Sequence, residues 1–211
     1  MKNIIKDIIF MIFIISTLAM LLFIIIKAEN NYDKQNKTPI VEYQIEMALA
    51  KLNISEYKIK IYPSIINYAC NKYSFKDWKT VVCMIMVESY FDEYAVGDSL
   101  VGFTKERARG IMQHLPSTMK ANSERLGFKY EKYLTEHNPI SGIISGTYLL
   151  SDLDRIWGGD LERVVKSYIL GASNLRKYYE GNKRVKILYQ KAMIDESWER
   201  FQKFYNSLEV E

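Results

Sequence analysis

Seven consecutive apolar residues at 81–87, VVCMIMV, run straight into Glu88, Ser89 and Tyr90. No other stretch after residue 60 limits the fold so strongly. Upstream, Ser74-Phe75-Lys76-Asp77 reads as a helix start, with Ser74 capping the first turn and Asp77 reaching back three residues on. Tyr73 and Trp78 fit a hydrophobic staple across that cap. Val81, Val82, Met84, Ile85 and Val87 cover more of a helix surface than one amphipathic stripe, so this helix belongs inside a core. Glu88 then falls in its last turn, on the face of Met84 and Ile85. Apolar surroundings and the negative end of the helix dipole both disfavour a charged carboxylate there. A glutamate so placed either marks where a buried helix surfaces or is a general acid kept protonated near neutral pH.

The chain has 211 residues, enough for one domain with a sizeable core. Its net charge of +4 comes from scattered rather than clustered Lys and Arg, which gives no argument for nucleic acid. Sixteen tyrosines suit either a sugar-stacking cleft or a tyrosine-rich core. Cys70 and Cys83 lack metal spacing, and whether they are bridged is open; His114 and His137 are too isolated for a metal cluster. No metal or cofactor is expected.

Residues 8–26 form an uncharged run of nineteen, nearly all Ile, Leu, Phe and Met. That length spans a bilayer's hydrocarbon core as a helix. Lys2 and Lys6 precede it, favouring an inside N-terminus, and no A-x-A cleavage pattern closes it. A retained single-pass anchor over residues 1–27 is expected, followed by a polar tether and stem over 28–60. Residues 40–52 are weakly amphipathic and suit a stem helix. The main domain is expected over 61–180, with a helical extension over 181–211.

Within that domain the pattern is helical from Pro63 to residue 71 and again from Ser74 to Tyr90. A charged loop follows over 91–109, longer than most connections in compact domains and a common border of a site. Pro116 suits a first helical position and Gly127 the end of that helix. Asn138-Pro139 opens the next helix, closed by Gly158-Gly159, with Gly142 and Gly146 four apart on one face, open to a neighbouring helix. Asp160 caps a helix over 161–170 that Gly171 ends. Apolar positions between Lys183 and Leu208 suit one or two surface helices. The fold class is all-α.

Four separated motifs resemble the soluble lytic transglycosylase (SLT) family, whose catalytic domain is goose-type-lysozyme-like. They are Glu88-Ser89 with Phe91 and Ala95-Val96; Ala108-Arg109-Gly110-Ile111-Met112-Gln113 with Pro116 and Thr118; Pro139, Ile143 and Gly146 with Tyr148-Leu149; and Ser167-Tyr168-Ile169-Leu170-Gly171. Each alone is weak, but their order is shared with the family. Gly142 and Ile169 both stand where the family has Asn, and Ile169 removes a polar group expected near the cleft.

The resemblance implies a lyase acting on peptidoglycan glycan strands, cleaving the β-1,4 bond between N-acetylmuramic acid and N-acetylglucosamine. Glu88 would be acid and then base, leaving a 1,6-anhydromuramic end. It implies that Tyr168 hydrogen-bonds the Glu88 carboxyl, Ser89 fixes the helix end, Gln113 contacts the glycan and Met112 packs the cleft wall against the sugar. Asp92, Glu93, Asp98 and Glu106 read as solvated loop charges rather than a second catalytic carboxylate. With the anchor, the implied location is the bacterial cytoplasmic membrane, the domain facing the wall, with an unidentified envelope machine as a possible partner. Two other readings are a goose-type hydrolase of the same bond and a catalytically impaired peptidoglycan-binding scaffold.

Overall fold

The computed structural model describes residues 40–97 and 106–208. The apolar run at 8–26, most of the tether and Asp98 lie outside the described residues. No described helix is long and apolar enough to cross a membrane. From Gln44 onward the described residues form one compact unit. Its regular elements are all α-helices; extended pairing among the described residues is limited to isolated bridges from Arg109 to Val96 and His114.

Helix α1 covers 40–51 and buries Ile45 and Leu49 completely. Helix α2, Glu56–Tyr73, begins about two turns before the expected start at Pro63, which sits inside it and is buried. A proline costs an interior helix one hydrogen bond and some bending. Tyr62, Ile66, Ala69 and Cys70 bury the face that holds this helix together across it. Ser74 is not the cap of the following helix: it closes α2 in a left-handed conformation (φ 56°). Asp77 caps α3, Trp78–Ser89, by accepting from the Thr80 amide (3.2 Å) and the Thr80 hydroxyl (2.6 Å). The expected staple is replaced too, since Tyr73 packs edge-on against Tyr148 of α6 (Pro139–Trp157).

Helix α3 is the buried element anticipated. Val81, Val82, Cys83, Met84 and Ile85 have no exposed surface, and α2, α6 and α10 (Ile194–Ser207) pack on it. Burial of each large side chain stabilises the fold by about 1.5–3 kcal/mol. Cys70 and Cys83 are buried and unpaired.

The remaining caps behave as local chemistry dictates. Helix α4, Pro116–Leu126, starts on its proline and ends at Gly127 (φ 75°). A short helix that the pattern did not reveal, α5 (Lys132–His137), leads into α6, Pro139–Trp157, whose first amides at Ile140 and Ser141 are taken by Asn138 Oδ1. Helix α7, Leu161–Leu170, is capped by Asp160 and closed by Gly171. Helices α8 (Ala172–Tyr179), α9 (Lys183–Lys191) and α10 (Ile194–Ser207) complete the described chain. The last two are more than surface cover. Leu188, Tyr189 and Ile194 join Leu170, Leu175 and Val185 in an apolar cluster, and Phe201 is fully buried.

Candidate active site

Glu88 emerges at the C-terminal end of α3, where the chain reverses sharply. Tyr90 and Phe91 both adopt positive φ (52° and 62°), an uncommon conformation for non-glycine residues. The reversal is held from α2: Lys58 donates to the Phe91 carbonyl, the buried Phe91 ring stacks on Tyr62 (5.8 Å), and the Tyr62 hydroxyl donates to Glu93. Gly97 then pairs with Ala108 (2.9 Å), returning the chain to the turn at 110–113.

That turn packs directly on Glu88's neighbour. Ser89 Oγ donates to the Ile111 carbonyl at 2.7 Å, so it ties the helix end to the turn. Gln113, itself at φ 47°, donates its side-chain amide to the carbonyls of Ala95 (3.0 Å) and Gly110 (2.9 Å). Both amide hydrogens are thereby used to clamp the loop, and only Oε1 is left for another partner. Gly110 has φ 76°, and a Cβ there would lie 2.2 Å from the Glu136 carbonyl oxygen, so no other residue fits. Beneath the turn, the Glu136 carboxylate is buried, pairs with Arg109 (3.3 Å) and accepts from Tyr130 (2.5 Å).

Met112 departs from expectation. It has no exposed surface and fills the space between Gly146 of α6 and Tyr168. A Cβ on Gly146 would fall 2.1 Å from its sulfur, and one on Gly142 would fall 2.9 Å from Ile111. The two glycines therefore admit the 110–113 turn rather than another helix. The Tyr168 hydroxyl donates to the Met112 carbonyl (2.9 Å), and no hydrogen bond from it reaches Glu88. The His114 ring packs against Tyr168 (6.0 Å), and burial lowers its pKa to about 4, so it is neutral. Ile169 faces away from this group and packs on the apolar cluster of α7 to α10, which explains an apolar residue there.

Electrostatically the site is a single carboxyl. Burial pushes the Glu88 pKa up to about 8, opposed by the positive charge of Arg200 on α10. Burial, then the Glu88 charge, raises the Tyr168 hydroxyl well above its usual range, so it stays a donor. Among the described residues no carboxylate adds to the field at Glu88. Asp92 accepts from the Tyr94 amide, Glu93 from Tyr62 and Glu106 from Ser117, each within the loop architecture. Such a carboxyl holds its proton at neutral pH and can deliver it to an oxygen, then accept one back. A pocket of about 390 Å³ opens elsewhere, against Phe128, Leu134, Ile140 and Ile144, and none of the candidate residues lines it.

The sequence motifs thus converge in space: Glu88, Ser89, Met112, Gln113 and Tyr168 form one connected group. Arg200 was missed because it lies far along the chain in a helix with no motif. Residues 64–190 match the family model of the transglycosylase SLT domain, which covers more than half of the chain and all five of these residues. The chain belongs to the SLT transglycosylase family, peptidoglycan-cleaving enzymes of the lyase type.

Proposed function

We propose that this protein is a membrane-anchored lytic transglycosylase in which Glu88 alone serves as acid and then base. The observation that carries the reading is a single carboxyl at the end of a buried helix, its pKa pushed up to about 8 by burial and, among the described residues, without a second carboxylate in its field. In the first step Glu88 protonates the glycosidic oxygen between N-acetylmuramic acid and N-acetylglucosamine. The positive charge developing at the anomeric carbon is met by the substrate's own N-acetyl carbonyl. The Glu88 carboxylate then takes the proton of the muramic C6 hydroxyl, whose oxygen attacks the anomeric carbon. One C–O bond breaks, another forms, and Glu88 ends protonated as it began.

The other site residues support this role from behind. Ser89 and Gln113 hold the helix end and the turn in register, Met112 fills the space beneath, and Tyr168 anchors that turn through the Met112 carbonyl. They are positioning residues: the bonds they make are to backbone. The uncharged run at 8–26 supports the anchor, and a wall substrate supports a domain on the outer side of the cytoplasmic membrane. The proposed boundaries are the anchor at 1–27, the stem at 28–60, the catalytic domain at 61–180 and the extension at 181–211.

Digestion of purified peptidoglycan by the full-length chain and by Glu88→Gln, read by mass spectrometry, tests the chemistry. Anhydromuramic ends from the wild type and none from the variant are expected. Reducing ends, heavier by one water, would make the enzyme a hydrolase. Release of the protein from membranes by carbonate would exclude the anchor.

A further inference from the structure

We propose that Arg200, carried by α10, is a positioning residue for Glu88 whose charge keeps the carboxylate form within reach for the base step. The proposal rests on the acid-then-base reading above and adds a contributor from beyond the family-matched residues 64–190. Its ground is the way α10 crosses α3. The Tyr205 hydroxyl donates to Asp77 at the start of α3 (3.0 Å), while the adjacent Phe204 meets Tyr90 edge-on just past its end (6.3 Å). Phe201, fully buried one turn before Tyr205, stacks on its ring (5.6 Å). Arg200 precedes Phe204 by four residues and so shares its side of α10, one turn along, at the Glu88 end of α3. Arg200 is itself exposed, and its guanidinium donates to Ser197 Oγ (3.2 Å), a buried side chain one turn back on the same helix.

The chemistry requires such a group. Glu88 sits at the negative end of a helix among apolar side chains, an environment that favours the acid and penalises the anion. Once the proton has left, the carboxylate must persist until the C6 hydroxyl reaches it. A cation held nearby lowers the cost of that state without supplying a hydrogen bond that would lock it. Arg200 is the one charged group opposing burial at Glu88 among the described residues. The other titratable groups around that end of α3 are engaged or neutral. From α7, Tyr168 donates to Met112; from the turn, His114 is uncharged; from α2, Lys58 and Tyr62 bond to Phe91 and Glu93; from α6, Tyr148 packs on Tyr73.

The test follows the Glu88 carboxyl by NMR through a pH titration of the full-length chain labelled with carbon-13 glutamate, its signal assigned by its loss in Glu88→Gln. Arg200→Gln is expected to move the midpoint upward from about 8, and the alkaline limb of anhydro-product formation with it. Arg200→Lys, which keeps the charge, is expected to titrate close to wild type. An unmoved midpoint in Arg200→Gln overturns the proposal. So does an equal shift in Arg200→Lys, because a merely structural role would not distinguish charge. Should the wild type form no anhydro product, the acid-base reading falls, yet the titration still decides whether Arg200 acts on Glu88.

Discussion

The two ends of α3 each carry a carboxylate, and they are built in opposite ways. At the start, Asp77 faces the positive end of the helix and accepts from the Thr80 amide, the Thr80 hydroxyl and the Tyr205 hydroxyl. At the finish, Glu88 faces the negative end and accepts no hydrogen bond from the described residues; burial pushes its pKa up to about 8. Asp77 is a group whose partners stabilise the fold. Glu88 is a group whose surroundings destabilise its charge, and a proton donor is what that destabilisation produces. The same buried helix thus ties itself down at one end and leaves a reactive carboxyl at the other.

The largest test of this contrast is Glu88→Gln. Formation of anhydromuramic ends is expected to fall by about 10²–10⁴-fold, the usual contribution of a general acid-base group. Its stability is expected to move the other way. The folded pKa of Glu88 lies above the unfolded value near 4.5, so the wild type is favoured relative to its own neutral-pH state at low pH and loses that advantage as pH rises from about 4.5 to about 8. Glu88→Gln escapes this loss. Thermal melts should show it matching the wild type near pH 4 and exceeding it by about 1–2 kcal/mol at pH 8, because solvent screens the partly exposed carboxyl. A variant less stable than the wild type at pH 8 would break the comparison.

Gly110→Ala comes next. With a Cβ 2.2 Å from the Glu136 carbonyl and a positive φ, the turn behind Glu88 must move. A cost of about 2–4 kcal/mol is expected in urea melts, with activity falling at temperatures where the protein remains folded. Asp77→Ala removes the cap at the quiet end. It should cost about 1–2 kcal/mol while the alkaline limb of the pH-rate profile stays in place. A moved limb would mean that the two ends are coupled through the helix. The smallest effect belongs to Tyr205→Phe, about 0.5–1.5 kcal/mol in melts, because Asp77 keeps both Thr80 bonds.

Local chemistry made much of the fold legible. Asn138 with Pro139, Asp160, Gly127, Gly158 and Gly171 start and stop helices where their side chains or left-handed backbone allow little else. The same rules misplaced the start of α3. Ser74 and Asp77 are both good caps, and only the packing of α2 against α3 and α6 decided that Ser74 ends one helix and Asp77 begins the next. Pro63 misled for a similar reason: propensity argues for a boundary, whereas a buried face on both sides of it keeps α2 continuous.

The candidate site divides in the same way. Glu88 was visible from its place at the end of an apolar helix, and its motif partners from the resemblance to the SLT family. What each partner touches was not visible, since a motif states identity and order but not which surface a side chain meets. Met112 is fully buried beneath the turn, Gln113 is half-exposed with its amide nitrogen clamping the loop, and Ile169 packs on the apolar cluster of α7 to α10.

The sequence by itself determined an all-helical domain, a long apolar run before it, the family, and a glutamate at the end of a buried helix. The helices follow from periodicity and capping, which act over a few neighbours along the chain, and the family follows from four separated motifs in a shared order. What only the tertiary structure supplied is the set of helices around that glutamate and the cation on α10, because Arg200, 112 positions along the chain, reaches it through space and not along the backbone.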